Sequence, residues 1–508
     1  MYSTVRTAAL EGICALPIQV EVDISSGMPI FDMVGNLSSE VREAKERVKT
    51  ALHNCGIILP AKRITVNFTP ANIKKSGTGF DLPVAIALIA SMGIVDFNKT
   101  QNYLFIGELN LKGDILPVNG ILPIVSDGLI QGIDNFIVPY DNYNEAKLVP
   151  MANVYGFRHF TEIITFLNEG NYTQINIENN SSNRDKRIDF ADVNGQNLIK
   201  RACEISASGM HNMLMIGSPG AGKTMIAERM PTILPPLNEQ EKIDLSKIYS
   251  VCGLLDNNNA LVNDRPFRNP HYSITKRSLI GGGYPVKPGE ISLAHNGVLF
   301  LDELVEFAGG IIDSLRKPLE ENVIRLSRGN SNVVYPSDFL FLGAMNPCNC
   351  GYYPDMQRCR CTATTLKRYF EKLSQPLLDR IDICVDAPVL SFEDISEKRK
   401  NESSETIRER VIRCHEIQRE RYSNEDFLYN SKIPANKMSE YCFLDDKEKS
   451  YMENMYHKLN LTARTYHKIL RVARTIADMD GCRLIKMKHL NEAICYRSVN
   501  EKYWGGIQ

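Results

Sequence analysis

The chain has no long hydrophobic run. Its most conspicuous apolar stretch, Leu82 to Val95, has 14 residues, short of the roughly 20 that a membrane-crossing helix needs. The opening MYSTVRTAALEGICALP lacks the basic start and apolar core of a secretory signal. A cytoplasmic protein with no membrane partner is the expectation. Charge of one sign is not in excess: 59 Lys and Arg face 60 Asp and Glu, a net charge of −1. That excludes a bulk polycation coating nucleic acid but leaves room for a local basic surface. No repeat of roughly 20–50 residues recurs, which argues against solenoids and propellers. The 13 cysteines are odd in number and mostly scattered, unlike a secreted disulfide scaffold.

What is present is an ordinary globular composition, 43% hydrophobic and 23% charged, over 508 residues. That length suggests about three domains. The polar stretch NEGNYTQINIENNSSNRDK, Asn168 to Lys186, reads as a linker. Before it, residues 1–167 alternate strands (QVEVDI, ITVNFT, NFIVPY) with helices (VREAKERVKTALHNC, DLPVAIALIASMG), a mixed α/β domain. After it, NMLMIG, GVLFLDE and FLFLGAMN are continuous apolar strands, as in a parallel sheet covered on both faces. They place an α/β core over residues 187–390. Residues 391–508 read as a separate helical lid.

The chemistry starts at Gly217-Ser218-Pro219-Gly220-Ala221-Gly222-Lys223-Thr224, which matches G-x-x-x-x-G-K-[ST] between a strand and a helix. The glycines let backbone N–H groups wrap phosphates. Lys223 reaches the β- and γ-phosphates, and the Thr224 hydroxyl holds Mg²⁺. Asp302 and Glu303 end the second strand. Asp302 suits the same Mg²⁺, and Glu303 can polarise the attacking water. Asn346 ends the third strand, where it either caps a turn before Pro347 or senses the γ-phosphate; the second role is favoured. ATP with Mg²⁺ is the expected cofactor.

Residues beyond the P-loop narrow the reading. RPFRNPHYS (Arg265 to Ser273), GGGYPVKPGEISLAHNGVLFLDEL (Gly281 to Leu304), AMNPCNCGYY (Ala344 to Tyr353), PLLDRID (Pro376 to Asp382) and TARTYHKILRVARTIADM (Thr462 to Met479) resemble the magnesium-chelatase-like AAA+ ATPases of the ComM/YifB group. The resemblance covers essentially the whole chain. It implies that Arg380 is an arginine finger, that Arg464 is the sensor-2 arginine coupling the lid to nucleotide state, and that Val193 in DVNGQ lines the adenine pocket. A finger used in trans implies a ring, and hexamers are the family's usual form. It further implies helicase and branch-migration work on single-stranded, forked or branched DNA, as in recombination during natural transformation.

Two segments are candidate DNA contacts. Arg265 to Gly289 carries Arg265, Arg268, Lys276, Arg277 and Lys287 with no acidic residue, and Phe267, Tyr272 and Tyr284 interleave. Such a stretch tracks a phosphate backbone and offers stacking faces, or is a structural insertion. The resemblance places here the insert that lines the ring pore. VIRLSRGNSNVVYP, Val323 to Pro336, reads as a hairpin turning at Gly329-Asn330, with Arg325 and Arg328 on one arm.

Cys348, Cys350, Cys359 and Cys361 form C-x-C-x₈-C-x-C. Four thiolates can close a structural zinc site; a cysteine-rich loop without metal is the alternative. GELNLKGDILPVNGILPIVSDGLIQGIDNFIVP, Gly107 to Pro139, resembles the Lon protease domain. The dyad lysine should fall near Leu122 and its serine near Phe80–Asp81, and neither residue type is there. The expectation is a Lon-like fold that has lost proteolysis. Two other readings stay open. One is a chelatase-like ATPase that remodels a protein partner; the other, less favoured, is an ATP-dependent protease.

Overall fold

The computed structural model describes residues 1–173, 188–256, 260–283, 285–328, 331–388 and 401–504. Most of the expected linker, Tyr284, the hairpin turn Gly329-Asn330 and the start of the helical region lie outside the described residues.

The N-terminal region is built on a seven-stranded sheet. Its spatial order is Ile30–Val34, Arg63–Thr69, Cys14–Ser25, Tyr2–Glu11, Tyr103–Phe105, Asn135–Pro139, Asn153–Phe157. Tyr2–Glu11 and Cys14–Ser25 form an antiparallel hairpin. Ile18, Val20, Val22 and Ile24 alternate inward along the second arm, the period of two that makes a half-buried strand. Helix Ser39–Asn54 starts at Ser38, whose hydroxyl accepts from the Val41 N–H, and buries Val41, Ala44, Val48, Ala51 and Leu52. Helix Asp81–Ser91 is buried at every residue, which its unbroken apolar run demands.

The second sheet is wholly parallel, in the order Phe267–Arg268, Val298–Leu301, Leu340–Met345, Met213–Gly217, Ile383–Ala387. The strand that leads into Asn346 therefore lies between the P-loop strand and the one that leads into Asp302. Helices Ser404–Arg421, Ala463–Met479 and Met487–Trp504 dominate the C-terminal part. They are not a detached cap. Val411, Ile469, Ala473 and Leu490 share one hydrophobic core with Ile199, Met213 and Ile226 of the sheet region.

The two sheets are joined through helix Glu239–Cys252. Helix Ile121–Ile130 packs on it, and the Gly120 N–H donates to the Ser250 carbonyl at 3.1 Å. The Ser250 hydroxyl also donates to the buried Glu145 carboxylate. Burial pushes the Glu145 carboxyl above the usual range, against the hydrogen bonds that stabilise its charge.

Candidate nucleotide site and its surroundings

The strand Met213–Gly217 runs into a turn and then helix Lys223–Ile233. Gly217 lets the two strands meet: a Cβ there would stand 2.3 Å from the Ala387 carbonyl oxygen. Gly222 takes φ +79° to aim the loop into the helix, a left-handed conformation that favours glycine. The loop, Asp302, Glu303, Met345 and Asn346 enclose a cavity of about 430 Å³.

The polar groups converge as their spacing suggested. The Lys223 ammonium donates to the carbonyls of Gly217 (2.6 Å) and Ser218 (3.0 Å) and to Asn346 Oδ1 at 3.3 Å. Burial pulls its pKa below the ordinary lysine value, while Asp302 and Glu303 oppose the shift. An anionic phosphate would favour the charged form further. Thr224 donates its hydroxyl to Asp302 Oδ2 at 2.6 Å. That hydroxyl and carboxylate suit a hard cation held with phosphate oxygens, so Thr224 and Asp302 fit Mg²⁺. Glu303 is exposed and sits at φ +50°, a sparsely populated conformation for a non-glycine residue that re-aims the chain at the cavity rim.

Val193 does not line this cavity. It is buried, and its carbonyl accepts from the Lys200 ammonium. Gln196, three residues on, is what reaches the loop: its amide donates to the carbonyls of Ala221 (3.0 Å) and Pro388 (2.7 Å). Its buried Oε1 has no hydrogen-bond partner among the described residues. Sequence reasoning passed over Gln196, although it closes the DVNGQ segment quoted for the adenine pocket.

Arg380 and Arg464 stand elsewhere. Arg380 precedes the strand Ile383–Ala387, whose start is level with Met213, and the Asp382 N–H donates to the Asn212 carbonyl. The P-loop leaves the other end of that five-residue strand pair. At about 3.3 Å per residue the two edges are about 13 Å apart. The Arg380 guanidinium donates to Glu320 Oε2 at 2.6 Å, and Arg464 donates to Asp379 Oδ2 at 3.1 Å with its side chain 75% exposed. Both arginines therefore mark one face, and neither lines its own chain's nucleotide cavity. A cleft of about 280 Å³ lies there, bounded by Asp379, Arg380, Lys468 and Arg471.

The candidate DNA contacts divide. Arg268 is bound in fork geometry to Glu290, at 2.6 and 2.8 Å. Arg265 is spent on the carbonyls of Pro235 and Asn296 and on Glu241. Lys276, Arg277 and Lys287 are exposed. The hairpin is present, with Val323–Arg328 paired to Ser331–Pro336. Arg325 is exposed, 3.5 Å from Glu321; the Arg328 side chain is outside the described residues. Tyr335 on the hairpin donates to the Val286 carbonyl at 2.9 Å, so the two basic segments are neighbours.

Beside the strand end at Asn346, the Sγ atoms of Cys348, Cys350, Cys359 and Cys361 all lie within 4.8 Å of one another. Their softness and number are compatible with a metal ion. In the N-terminal region, the expected serine position holds Asp81, fully buried and bound by Arg47 at 2.7 and 2.9 Å. The expected lysine position holds Leu122, whose N–H donates to Glu145. Lys75 is buried and donates to the carbonyls of Phe68 and Pro70. The described residues offer no hydroxyl–amine dyad there.

Three family models match this chain. "Magnesium chelatase, subunit ChlI" covers residues 189–395, "Subunit ChlI of Mg-chelatase" covers 20–142, and "Magnesium chelatase, subunit ChlI C-terminal" covers 401–497. The YifB protein of Salmonella typhimurium is 38% identical over 98% of this chain and 97% of its own length. The competence protein ComM of Haemophilus influenzae is 39% identical, with 97% of each chain covered. The magnesium-chelatase 67 kDa subunit of Heliobacterium mobile is 27% identical over 32% of this chain and 28% of its own.

Proposed function

This chain belongs to the ComM/YifB family of magnesium-chelatase-like AAA+ ATPases, and on that footing we propose that it is a ring-forming motor driving branch migration of DNA. The observation that carries the motor reading is the division of catalytic groups between opposite sheet edges. Lys223, Thr224, Asp302, Glu303 and Asn346 surround one cavity; Arg380 belongs to the opposite edge of the sheet, a strand length of about 13 Å from it. An arginine so placed completes the site of the next subunit, and a closed ring, a hexamer in this reading, gives every site its finger. Arg464, tied to the same face by Asp379, acts across the same junction. The cycle then runs on ATP and Mg²⁺. The P-loop amides and Lys223 bind the phosphates, Glu303 orients water, and the neighbour's Arg380 stabilises charge on the transferred phosphoryl group.

DNA is the proposed load. Exposed Lys276, Arg277 and Lys287 on the insertion and Arg325 on the adjoining hairpin supply a basic surface joined through Tyr335 and Val286. Arg268 drops out of this set, because Glu290 neutralises it and pins it to the fold. No helix among the described residues is long and apolar enough to cross a membrane, and a cytoplasmic site of action accords with that. The competence name of the Haemophilus relative supports a role in recombination during natural transformation. The same reading assigns a structural zinc ion to Cys348, Cys350, Cys359 and Cys361.

The test is ATP-dependent branch migration on a synthetic four-way junction, with Lys223→Ala beside the wild type. Movement by the wild type alone is expected. An ATPase indifferent to DNA, with no movement, would transfer the motor to a protein partner.

A further inference from the structure

The four-cysteine loop does more than sit near the nucleotide site. Three of its Sγ separations are 3.2, 3.5 and 3.8 Å. Four thiolates at 2.3 Å from a tetrahedral zinc stand about 3.8 Å apart, so the cluster has the size of one ion's shell. A disulfide would need about 2.05 Å, and the cysteines are all free. An iron–sulfur cluster interposes its own atoms and holds its thiolates further apart. The Tyr353 N–H donates to Cys348 Sγ at 3.4 Å, the kind of outer contact that fixes a ligand atom. Among the described residues no other group of three or more His, Cys, Asp or Glu side chains is so gathered.

The loop touches both halves of the γ-phosphate pocket. On the P-loop side, Ser218 donates its hydroxyl to the Gly351 carbonyl at 2.7 Å. Gly351, at φ +82°, approaches so closely that a Cβ there would stand 2.7 Å from Pro219 Cδ. On the other side, Asn346 is two residues before Cys348; its carbonyl accepts from the Tyr369 hydroxyl at 2.8 Å, and its amide oxygen from Lys223. The Tyr353 ring meets Phe370 and Tyr503, each with centroids 6.1 Å apart, which carries the contact to the last helix. We propose that a metal ion in this four-thiolate knuckle clamps the P-loop to the strand end bearing Asn346, so that nucleotide affinity depends on the metal. Without the ion, the segment from Cys348 to Cys361 must be ordered against its own conformational entropy. With it, metal-binding free energy holds the segment folded, and Gly351 and Asn346 are fixed relative to each other. The clamp rests on the ATP-site reading; the metal site does not.

The experiment uses the full chain purified without chelator. Elemental analysis should find about one zinc per chain, and cobalt exchanged into the site should show thiolate-to-cobalt charge-transfer absorption. Affinity for a fluorescent ATP analogue is then measured before and after the metal is stripped, and after zinc is returned. Stripping should weaken binding by about tenfold or more, and zinc should restore it. Ser218→Ala should keep the zinc and weaken binding several-fold, the size of about one hydrogen bond. Zinc near zero with no charge-transfer band overturns the site. Zinc present with affinity unmoved by stripping overturns the clamp. A zinc-loaded wild type that binds no analogue overturns the ATP-site reading, and the clamp with it.

Discussion

Two carboxylates in this molecule sit where chemistry is expected, and their surroundings set them apart. Asp81 opens helix Asp81–Ser91 in the N-terminal region. It is fully buried, and the Arg47 fork and the Leu109 N–H use its oxygens. Asp81 in turn holds the Arg47 guanidinium above its ordinary pKa, chiefly through their hydrogen bonds. Asp302 ends a core strand, half-buried, with one oxygen on the Thr224 hydroxyl and the other on the Glu303 N–H. A buried carboxylate locked to a guanidinium holds architecture. One that faces a cavity and shares a hydroxyl keeps lone pairs for a metal. The N-terminal carboxylate is committed to holding its sheet region together, and the core carboxylate faces a cavity it can serve.

The largest expected effect sharpens that contrast. Lys223→Ala should abolish ATP binding, and Glu303→Gln should bind ATP with hydrolysis reduced by about 10²-fold or more, the scale of losing a polarising group. Filter binding and phosphate release read the two separately. Full turnover by Glu303→Gln would remove Glu303 from the mechanism.

Next in size is Arg380→Ala, which should cut turnover by about 10³-fold or more, as for other fingers. The decisive version mixes two inactive variants, Arg380→Ala and Lys223→Ala, in one ring. A junction between the intact P-loop of the first and the intact Arg380 of the second is complete, so mixing should restore part of the activity. An arginine acting within its own chain gives no rescue.

Asp81→Ala breaks the comparison from the other side. It leaves Arg47, 22% exposed, with only Glu43 at 3.9 Å and the Glu40 carbonyl, and should cost about 1–3 kcal/mol of stability. Denaturant unfolding would show the loss, while the folded fraction should keep its KM for ATP. A raised KM with unchanged stability would make Asp81 part of the motor.

How much of this was legible follows from distance along the chain. The P-loop is contiguous, and Asp302 and Asn346 each end an apolar strand, so sequence placed them. Arg268 looked like a DNA contact because its segment carries no acid, yet Glu290, just beyond that segment, takes its fork. The Asp81–Arg47 pair joins two helices through residues 34 positions apart and left no local trace. Arg464 was recognisable by resemblance, but its direction depends on how the lid shares the core. Gln196 reaches the loop through φ +55°, a turn that its residue type does not announce.

The smallest effect concerns the basic surface. Arg325→Ala with Arg328→Ala should leave basal ATPase intact and remove its stimulation by DNA. Each phosphate contact contributes about 0.9 to the slope of log affinity against log salt, so losing two should flatten that slope by about 2. A structural role for the hairpin predicts something else. Ile324, Val333 and Tyr335 are its buried residues among those described, and Arg325 points to solvent, so a misfolded hairpin would lower basal turnover along with DNA binding. Unchanged stimulation with an unchanged slope would move the contact to Lys276, Arg277 and Lys287, and the same salt titration on those variants would locate it.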